Sequence, residues 1–77
     1  MLKKLSDFKI AEQGTIKQVL GEGRVRRRLF DMGVTPRAKV IMIKKAPLGD
    51  PIEVNLRGYM LSLRKDEAEL IIVEVDG

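Results

Sequence analysis

The sequence contains no cysteine, no histidine and no tryptophan. Without cysteine it forms no disulfide, and without cysteine and histidine it lacks the usual ligands of structural zinc, haem and iron–sulfur clusters. A serine nucleophile would also lack its histidine base. We therefore expect a protein that is not an enzyme and that holds no metal and no cofactor.

Long apolar runs are absent as well. The longest, such as 40–43 and 70–73, are far shorter than the roughly 20 residues that cross a bilayer as a helix. The basic residues near the amino terminus are not followed by the apolar stretch of a secretory signal. We therefore expect a cytoplasmic protein without direct insertion into a membrane.

The composition is that of one small folded domain, spanning residues 1–77. Apolar residues make up 44% of the chain, and the charged residues, 34%, are mixed in sign. Lysine and arginine outnumber the acidic residues by 15 to 11, which gives a net charge of +4. This excess favours an acidic partner, which is a nucleic acid, a lipid surface or a protein face.

Five segments have the apolar patterns of short strands, and tight connections between them predict a small closed or nearly closed barrel. A hairpin is expected at Arg57-Gly58, between two segments of strict alternation. In the last strand Ile71, Val73 and Val75 are expected to face inward. The five predicted strands are Thr15–Leu20, Lys39–Lys45, Ile52–Leu56, Tyr59–Leu63 and Ile71–Val75.

Two of these strands are irregular. Ile16 and Val19 lie three residues apart, so alternation fails and a bulge or an early twist is expected. The strand at 39–45 has apolar residues on both faces, as expected where a strand bends within a small barrel.

The helical period appears once at length. Val25, Leu29 and Met32 fall at i, i+4 and i+7, which predicts a helix over 24–32 with these residues on one face, followed by a stop at Gly33 and Pro36. A single helical turn is expected over 65–69, where acidic residues suit the start of a helix.

The loop Ala46-Pro47-Leu48-Gly49-Asp50-Pro51 is the most informative stretch. Its prolines fix φ, Gly49 permits a positive φ and Asp50 accepts backbone hydrogen bonds, so the loop holds one shape suited to binding. A metal loop is not favoured, because a hard cation needs six or more oxygen ligands and no suitable carboxylate cluster is present.

The run Arg26-Arg27-Arg28, preceded by Arg24, has two interpretations. Its side chains solvate the outer side of a helix whose Val25 and Leu29 are buried, or they recognise an acidic protein face or a phosphate. Because successive helical residues are about 100° apart, only some of them can share one target.

Three motifs in this order closely resemble those of one family. They are Arg26 to Pro36, Ala46 to Pro51 and Arg57-Gly58-Tyr59 to Lys65, supported by Leu5-Ser6-Asp7-Phe8 and Glu67-Ala68. Together they cover nearly the whole chain, which resembles the FeoA family of ferrous iron transport accessory proteins.

The resemblance implies a mainly β fold, a small SH3-like five-stranded β-barrel with one or two short helices. It also implies a cytosolic protein that acts on FeoB, a membrane ferrous iron transporter with a GTP-hydrolysing cytosolic region, and it specifies no oligomeric state. The family is not known as an enzyme. The residues that we expect to contact the partner are Arg27, Arg28, Leu48, Gly49, Asp50, Pro51, Arg57 and Tyr59.

The chain departs from the family pattern at two turns. Ile10-Ala11 stands where Pro-Gly is common, and Arg37 stands where a glycine is common. Because a long side chain replaces glycine there, we expect Arg37 to have a negative φ.

Two alternative functions stay open at this point. A small basic barrel that binds nucleic acid fits the charge, although Phe8, Phe30 and Tyr59 are few for a stacking platform, so nucleic acid is not the expected partner. The other alternative is that one arginine of 26–28 acts as an arginine finger on the partner's GTP hydrolysis.

Overall fold

The computed structural model describes residues 1–76, which form one antiparallel sheet around one core. The sheet has the strand order β1-β6-β2-β3-β4-β5, and within residues 1–76 no pairing joins its two ends, β1 and β5. The strands are β1 (Leu2–Lys4), β2 (Gln13–Val19), β3 (Lys39–Lys45), β4 (Ile52–Leu56), β5 (Tyr59–Leu63) and β6 (Ile71–Val75).

Two helices and one 3₁₀ turn complete the structure. Helix α1 spans Gly23–Asp31, helix α2 spans Lys65–Ala68, and the 3₁₀ helix spans Leu5–Asp7. The 3₁₀ turn packs against α2 and β6 and brings Leu5 and Phe8 into the core. No helix within residues 1–76 is long and apolar enough to cross a membrane.

The two predicted irregularities are both present. The register between β2 and β6 shifts between Ile16 and Gln18, and that between β3 and β4 shifts between Met42 and Lys44. An extra residue in one strand of a pair bends that strand. The bends allow a single sheet to curve around the core, whose buried apolar residues are Leu5, Phe8, Ile16, Val19, Leu29, Val34, Ala38, Val40, Met42, Ile52, Val54, Leu56, Leu63, Ala68, Ile71 and Val73.

The hairpin between β4 and β5 is confirmed at the predicted residues. Leu56 pairs with Tyr59, and the two residues between them have φ of 52° (Arg57) and 93° (Gly58), the signs of a type I′ turn. The side chain of Asn55 accepts a hydrogen bond from the N–H of Gly58 (3.1 Å). Because the twist of this turn matches that of the strands, it fixes their register.

Three expectations differ from the structure. The sheet has a sixth strand, β1, which pairs with β6 from Leu2↔Glu74 to Lys4↔Ile72. Val25 is 44% exposed, because Leu29 is the one residue of α1 that is fully buried in the core. The prediction that Val25 is buried is therefore wrong.

The expected negative φ of Arg37 is also wrong, since its φ is 77°. The N–H of Arg37 donates to the carbonyl of Ile16 (2.7 Å), and the N–H of Ile16 donates to the carbonyl of Ala38 (2.8 Å). These bonds to β2 impose the left-handed conformation on whatever residue stands there. Ala11, the other departure, likewise has φ of 72°.

An ion pair between β1 and Glu12 stabilises the turn before β2. The Nζ of Lys3 lies 2.9 Å from Oε1 of Glu12, which also accepts from the N–H of Lys9 (2.9 Å). The hydrogen bond from Lys9 and then that from Lys3 lower the pKa of Glu12, because both favour the charged carboxylate.

Candidate functional site

The loop at 46–51, between β3 and β4, is closed by its own backbone. The N–H of Gly49 donates to the carbonyl of Ala46 (2.7 Å), and the N–H of Ala46 donates to the carbonyl of Pro51 (3.0 Å). Gly49 has φ of 82°, a conformation that glycine adopts without strain. The positive φ that the sequence permits at Gly49 is therefore present, and the loop is closed by two backbone hydrogen bonds.

Asp50 fixes this loop to the neighbouring helix α2. Its Oδ1 accepts a hydrogen bond from the N–H of Lys65 (3.1 Å), the first helical residue, whose N–H has no partner inside the helix. The peptide bond from Asp50 to Pro51 is cis. Within residues 1–76 no group of three or more histidine, cysteine, aspartate or glutamate side chains could hold a metal ion.

Leu48 stands at the tip of the loop and is 94% exposed. A side chain this exposed adds almost nothing to the protein's own core. An apolar residue on a loop whose backbone is already ordered can be buried by a partner at little further cost in conformational entropy.

The arginines of α1 have different surroundings. The Nε of Arg26 donates to the carbonyl of Val19 (3.2 Å), and its guanidinium lies 4.5 Å from the ring centroid of Phe30, a cation–π distance. The Nη1 of Arg28 lies 3.4 Å from Oε2 of Glu67. Two of these arginines are therefore held by the chain itself.

Arg27 and Arg28, both predicted partner contacts, lie at different recesses of the surface. Arg28 lines a recess together with Pro51 of the loop, whereas Arg27 lines another with Phe30. The structure thus brings Arg28 to the base of the loop and leaves Arg27 elsewhere on α1. That difference follows from the 100° step between successive helical residues.

Glu67 is the acidic residue that ties α1 to α2. It is only 8% exposed, and its Oε1 accepts from the N–H of Arg64 (2.9 Å) while its Oε2 faces Arg28. A buried carboxylate needs such partners to offset its desolvation. The expected capping role of the acidic residues at α2 is confirmed for Glu67.

Arg57 and Tyr59, also predicted partner contacts, hold the β4–β5 hairpin against the end of α1. The hydroxyl of Tyr59 donates to the carbonyl of Met32, and the guanidinium of Arg57 donates to the hydroxyl of Thr35 and to the carbonyl of Gly33. Tyr59 still exposes 43% of its surface. Both residues have a defined structural role, and their contact with a partner stays a prediction.

Sequence reasoning missed a groove between α1 and α2. Its volume is about 650 Å³, and it is lined by Arg24, Val25, Arg28, Arg64, Asp66, Glu67 and Leu70. The one available signal was Val25, which continues the apolar face of the helix although the core does not need it.

Known proteins share the sequence pattern and the fold of this chain. A family model described as the FeoA domain matches residues 3–75. The FeoA protein of Chlorobium tepidum, solved by solution NMR, is 44% identical and has a TM-score of 0.89, covering 97% of this chain and 71% of that one. The crystal structure of Stenotrophomonas maltophilia FeoA complexed with zinc, described as a procaryotic SH3 domain protein, is 26% identical with a TM-score of 0.77, covering 96% of this chain and 89% of that one.

A further relative joins two proteins in one chain. A fusion protein of Fe(2+) transport protein A and Fe(2+) transporter FeoB from Porphyromonas gingivalis is 33% identical over 72 residues, 94% of this chain, which spans only 8% of the length of the fusion. The comparisons confirm both the predicted SH3-like fold and the predicted resemblance. The chain belongs to the FeoA domain family.

Proposed function

We propose that this protein is a non-enzymatic, cytoplasmic accessory protein of ferrous iron uptake. It binds the cytosolic part of a FeoB-type transporter through the loop at 46–51 and the basic helix α1. Membership of the FeoA domain family and the relative fused to FeoB support a role in ferrous iron transport. The binding itself is our inference.

The observation that carries the proposal is the exposure of Leu48, at 94%, on a loop held by backbone hydrogen bonds and by Asp50. Covering an exposed apolar side chain in an interface is favourable, and a loop whose backbone is already ordered loses little further conformational entropy when it is covered. The loop lies beside Arg28, so a partner that covers Leu48 also meets a guanidinium group that can pair with its carboxylates.

The fusion relative supports the choice of partner. Joining two domains in one chain raises their effective concentration to about the millimolar range for short linkers, which makes even a weak contact nearly permanent. A contact of this kind between separate chains would need the pre-ordered surface seen here.

The experiment is a calorimetric titration of this protein into the cytosolic region of the FeoB-type transporter, once with GDP and once with a non-hydrolysable GTP analogue. Burying one leucine contributes about 1.5–3 kcal/mol, so Leu48→Ala should weaken binding by roughly ten- to hundredfold. Met60→Ala is the matched control, because Met60 is also exposed, at 51%, but lies on β5.

The wild-type result decides the proposal. Saturable binding in either nucleotide state supports it, and a preference between the states names the form that is recognised. No binding in both states contradicts it. If Leu48→Ala binds like wild type, the interface does not include the tip of the loop. Melting temperatures of Leu48→Ala and Met60→Ala that equal that of wild type show that neither change acts through folding.

A further inference from the structure

The groove between α1 and α2 is a second surface near the loop. Its floor is apolar, with Val25 from α1 and Leu70 from the turn after α2. Leu70 is held in place, because its carbonyl accepts from the N–H of Leu20 (2.7 Å). The backbone of the groove floor at Leu70 is therefore fixed to the chain at the end of β2.

Val25 indicates that the floor is available to a partner. It lies four residues before Leu29 on the same face of α1, yet 44% of its surface is exposed while Leu29 is completely buried. The core is closed without it. An apolar residue in a concave site with basic residues at its rim is typical of a binding groove.

The rim carries uncompensated positive charge. Arg24, Arg28 and Arg64 face the two acidic residues of the groove, and Arg28 is paired with Glu67. Within residues 1–76, Arg24 and Arg64 have no ion-pair partner within 4.0 Å. The three arginines outnumber the two acidic residues, so the lining of the groove has a net charge of +1 and is complementary to carboxylates.

The groove is continuous with the loop described above. Arg64 lines the groove and also lines two smaller recesses. One of them is net acidic, with Asp50, Asp66 and Glu69 beside Arg64 and Lys65. The other, with Arg28 and Pro51, is net basic and leads from the loop to the groove. The ion pair between Arg28 and Glu67 spans the two helices that form the walls. A partner segment that covers Leu48 can therefore extend over Arg64 into the groove without leaving the surface.

We infer that this groove binds an acidic segment of the partner, with an apolar side chain against Val25 and Leu70 and carboxylates on Arg24 and Arg64. The inference rests on the proposed function for the identity of the partner, a FeoB-type transporter. It adds the chemistry of the segment that the partner must supply, namely an apolar residue flanked by aspartate or glutamate.

The test uses four variants of the full chain titrated with the cytosolic region of the transporter. Val25→Glu and Arg64→Glu change the groove. Ile10→Glu and Lys17→Glu are matched controls, because they make the same changes at an exposed apolar residue and an exposed basic residue that do not line the groove. Thermal melting of all four shows whether each variant is folded.

We expect both groove variants to bind at least tenfold more weakly than wild type and the controls to stay within about twofold of it. For Arg64→Glu the loss of affinity should be larger at low salt, because charge pairs are screened by salt. If wild type binds and the groove variants bind like the controls, the groove inference is wrong while the proposed function stands. If wild type does not bind, the proposed function fails and this inference fails with it. If wild type dimerises in sedimentation equilibrium and Val25→Glu abolishes the dimer, the groove binds a second copy of the chain. That result would overturn the inference that the groove binds an acidic segment of the transporter.

Discussion

Gly14 offers the sharpest test of how this core is packed. It lies in β2 between Val40 of β3 and Val75 of β6, and it is buried. A Cβ atom placed on it would lie 2.8 Å from Cγ1 of Val73 and 3.0 Å from the carbonyl carbon of Glu74, with the carbonyl oxygen closer still. Gly14→Ala therefore forces a backbone carbonyl of β6 to move.

The expected cost follows from two opposing effects. Overpacking of this kind costs about 1–3 kcal/mol, and the loss of backbone freedom in the unfolded chain returns about 0.4–1 kcal/mol. We expect Gly14→Ala to lower the free energy of unfolding by about 1–2 kcal/mol, which is roughly 5–15 °C in melting temperature for a domain of this size. Urea denaturation with an unchanged m-value measures it.

The control is a double-mutant cycle with Val73→Ala, which removes one of the two clashing groups. Residues in contact couple by about 0.5–3 kcal/mol, so Val73→Ala should cost less in the Gly14→Ala background than alone. A Gly14→Ala variant that loses less than about 0.5 kcal/mol, or a cycle with no coupling, would refute the steric argument.

Three further outcomes are expected from the same structure. Tyr59→Phe loses its hydrogen bond to the carbonyl of Met32 and should lower the free energy of unfolding by about 1 kcal/mol in urea denaturation. Arg37→Gly relieves the positive φ and should leave stability equal or raise it by up to about 1 kcal/mol in the same assay, because strain relief of about 1–2 kcal/mol exceeds the gain in unfolded-state freedom. The pKa of Glu12, measured by NMR on its carboxyl carbon, should lie below the usual value. The stabilisation of the folded state by this carboxylate is then present above about pH 4.3 and is lost as the pH falls through the lower pKa of the folded state. Lys3→Met should raise the pKa of Glu12, because it removes one of the hydrogen bonds to the carboxylate.

The elements that sequence predicts are those whose pattern is local. Strand β4 alternates strictly along 52–56, and its residues are alternately buried and half-buried in the structure. The predicted ends of strand β3, 39–45, are those observed in the structure. The apolar residues on both of its faces predict its bend. Strand β1 could not be found this way, because three residues with two lysines have no period and pair only with the distant β6.

Backbone conformation at Arg37 and Ala11 shows where local reasoning fails. A long or β-carbon-bearing side chain argues for a negative φ, yet the hydrogen bonds of Arg37 to Ile16 and those around Ala11 impose positive values. Tertiary hydrogen bonds decided both turns. Strand β2 likewise begins at Gln13, two residues before the predicted Thr15. It includes Gly14, where β6 approaches too closely for a side chain.

The candidate site divides in a similar way. The positive φ of Gly49 and the role of Asp50 as an acceptor of a backbone hydrogen bond could be predicted, because these residue types favour such conformations and contacts in turns regardless of distant contacts. The neighbours of the loop could not be predicted, since Glu67 of α2 and Arg64, the residue before that helix, reach the loop only through the fold. Val25 was misassigned for the same reason, because periodicity identifies an apolar helix face without showing how much of that face the core will cover.

The structure separates the side chains that shape the site from those that are available to a partner. Asp50 and Glu67 are acidic residues in a basic region, but each is occupied by backbone or ion-pair contacts that fix the loop and both helices relative to one another. Their charges are thereby partly satisfied within the protein. What the surface offers outward is Leu48, Val25 and arginines that are unpaired within residues 1–76, and such a surface is complementary to the acidic, partly apolar segment that we propose as its partner.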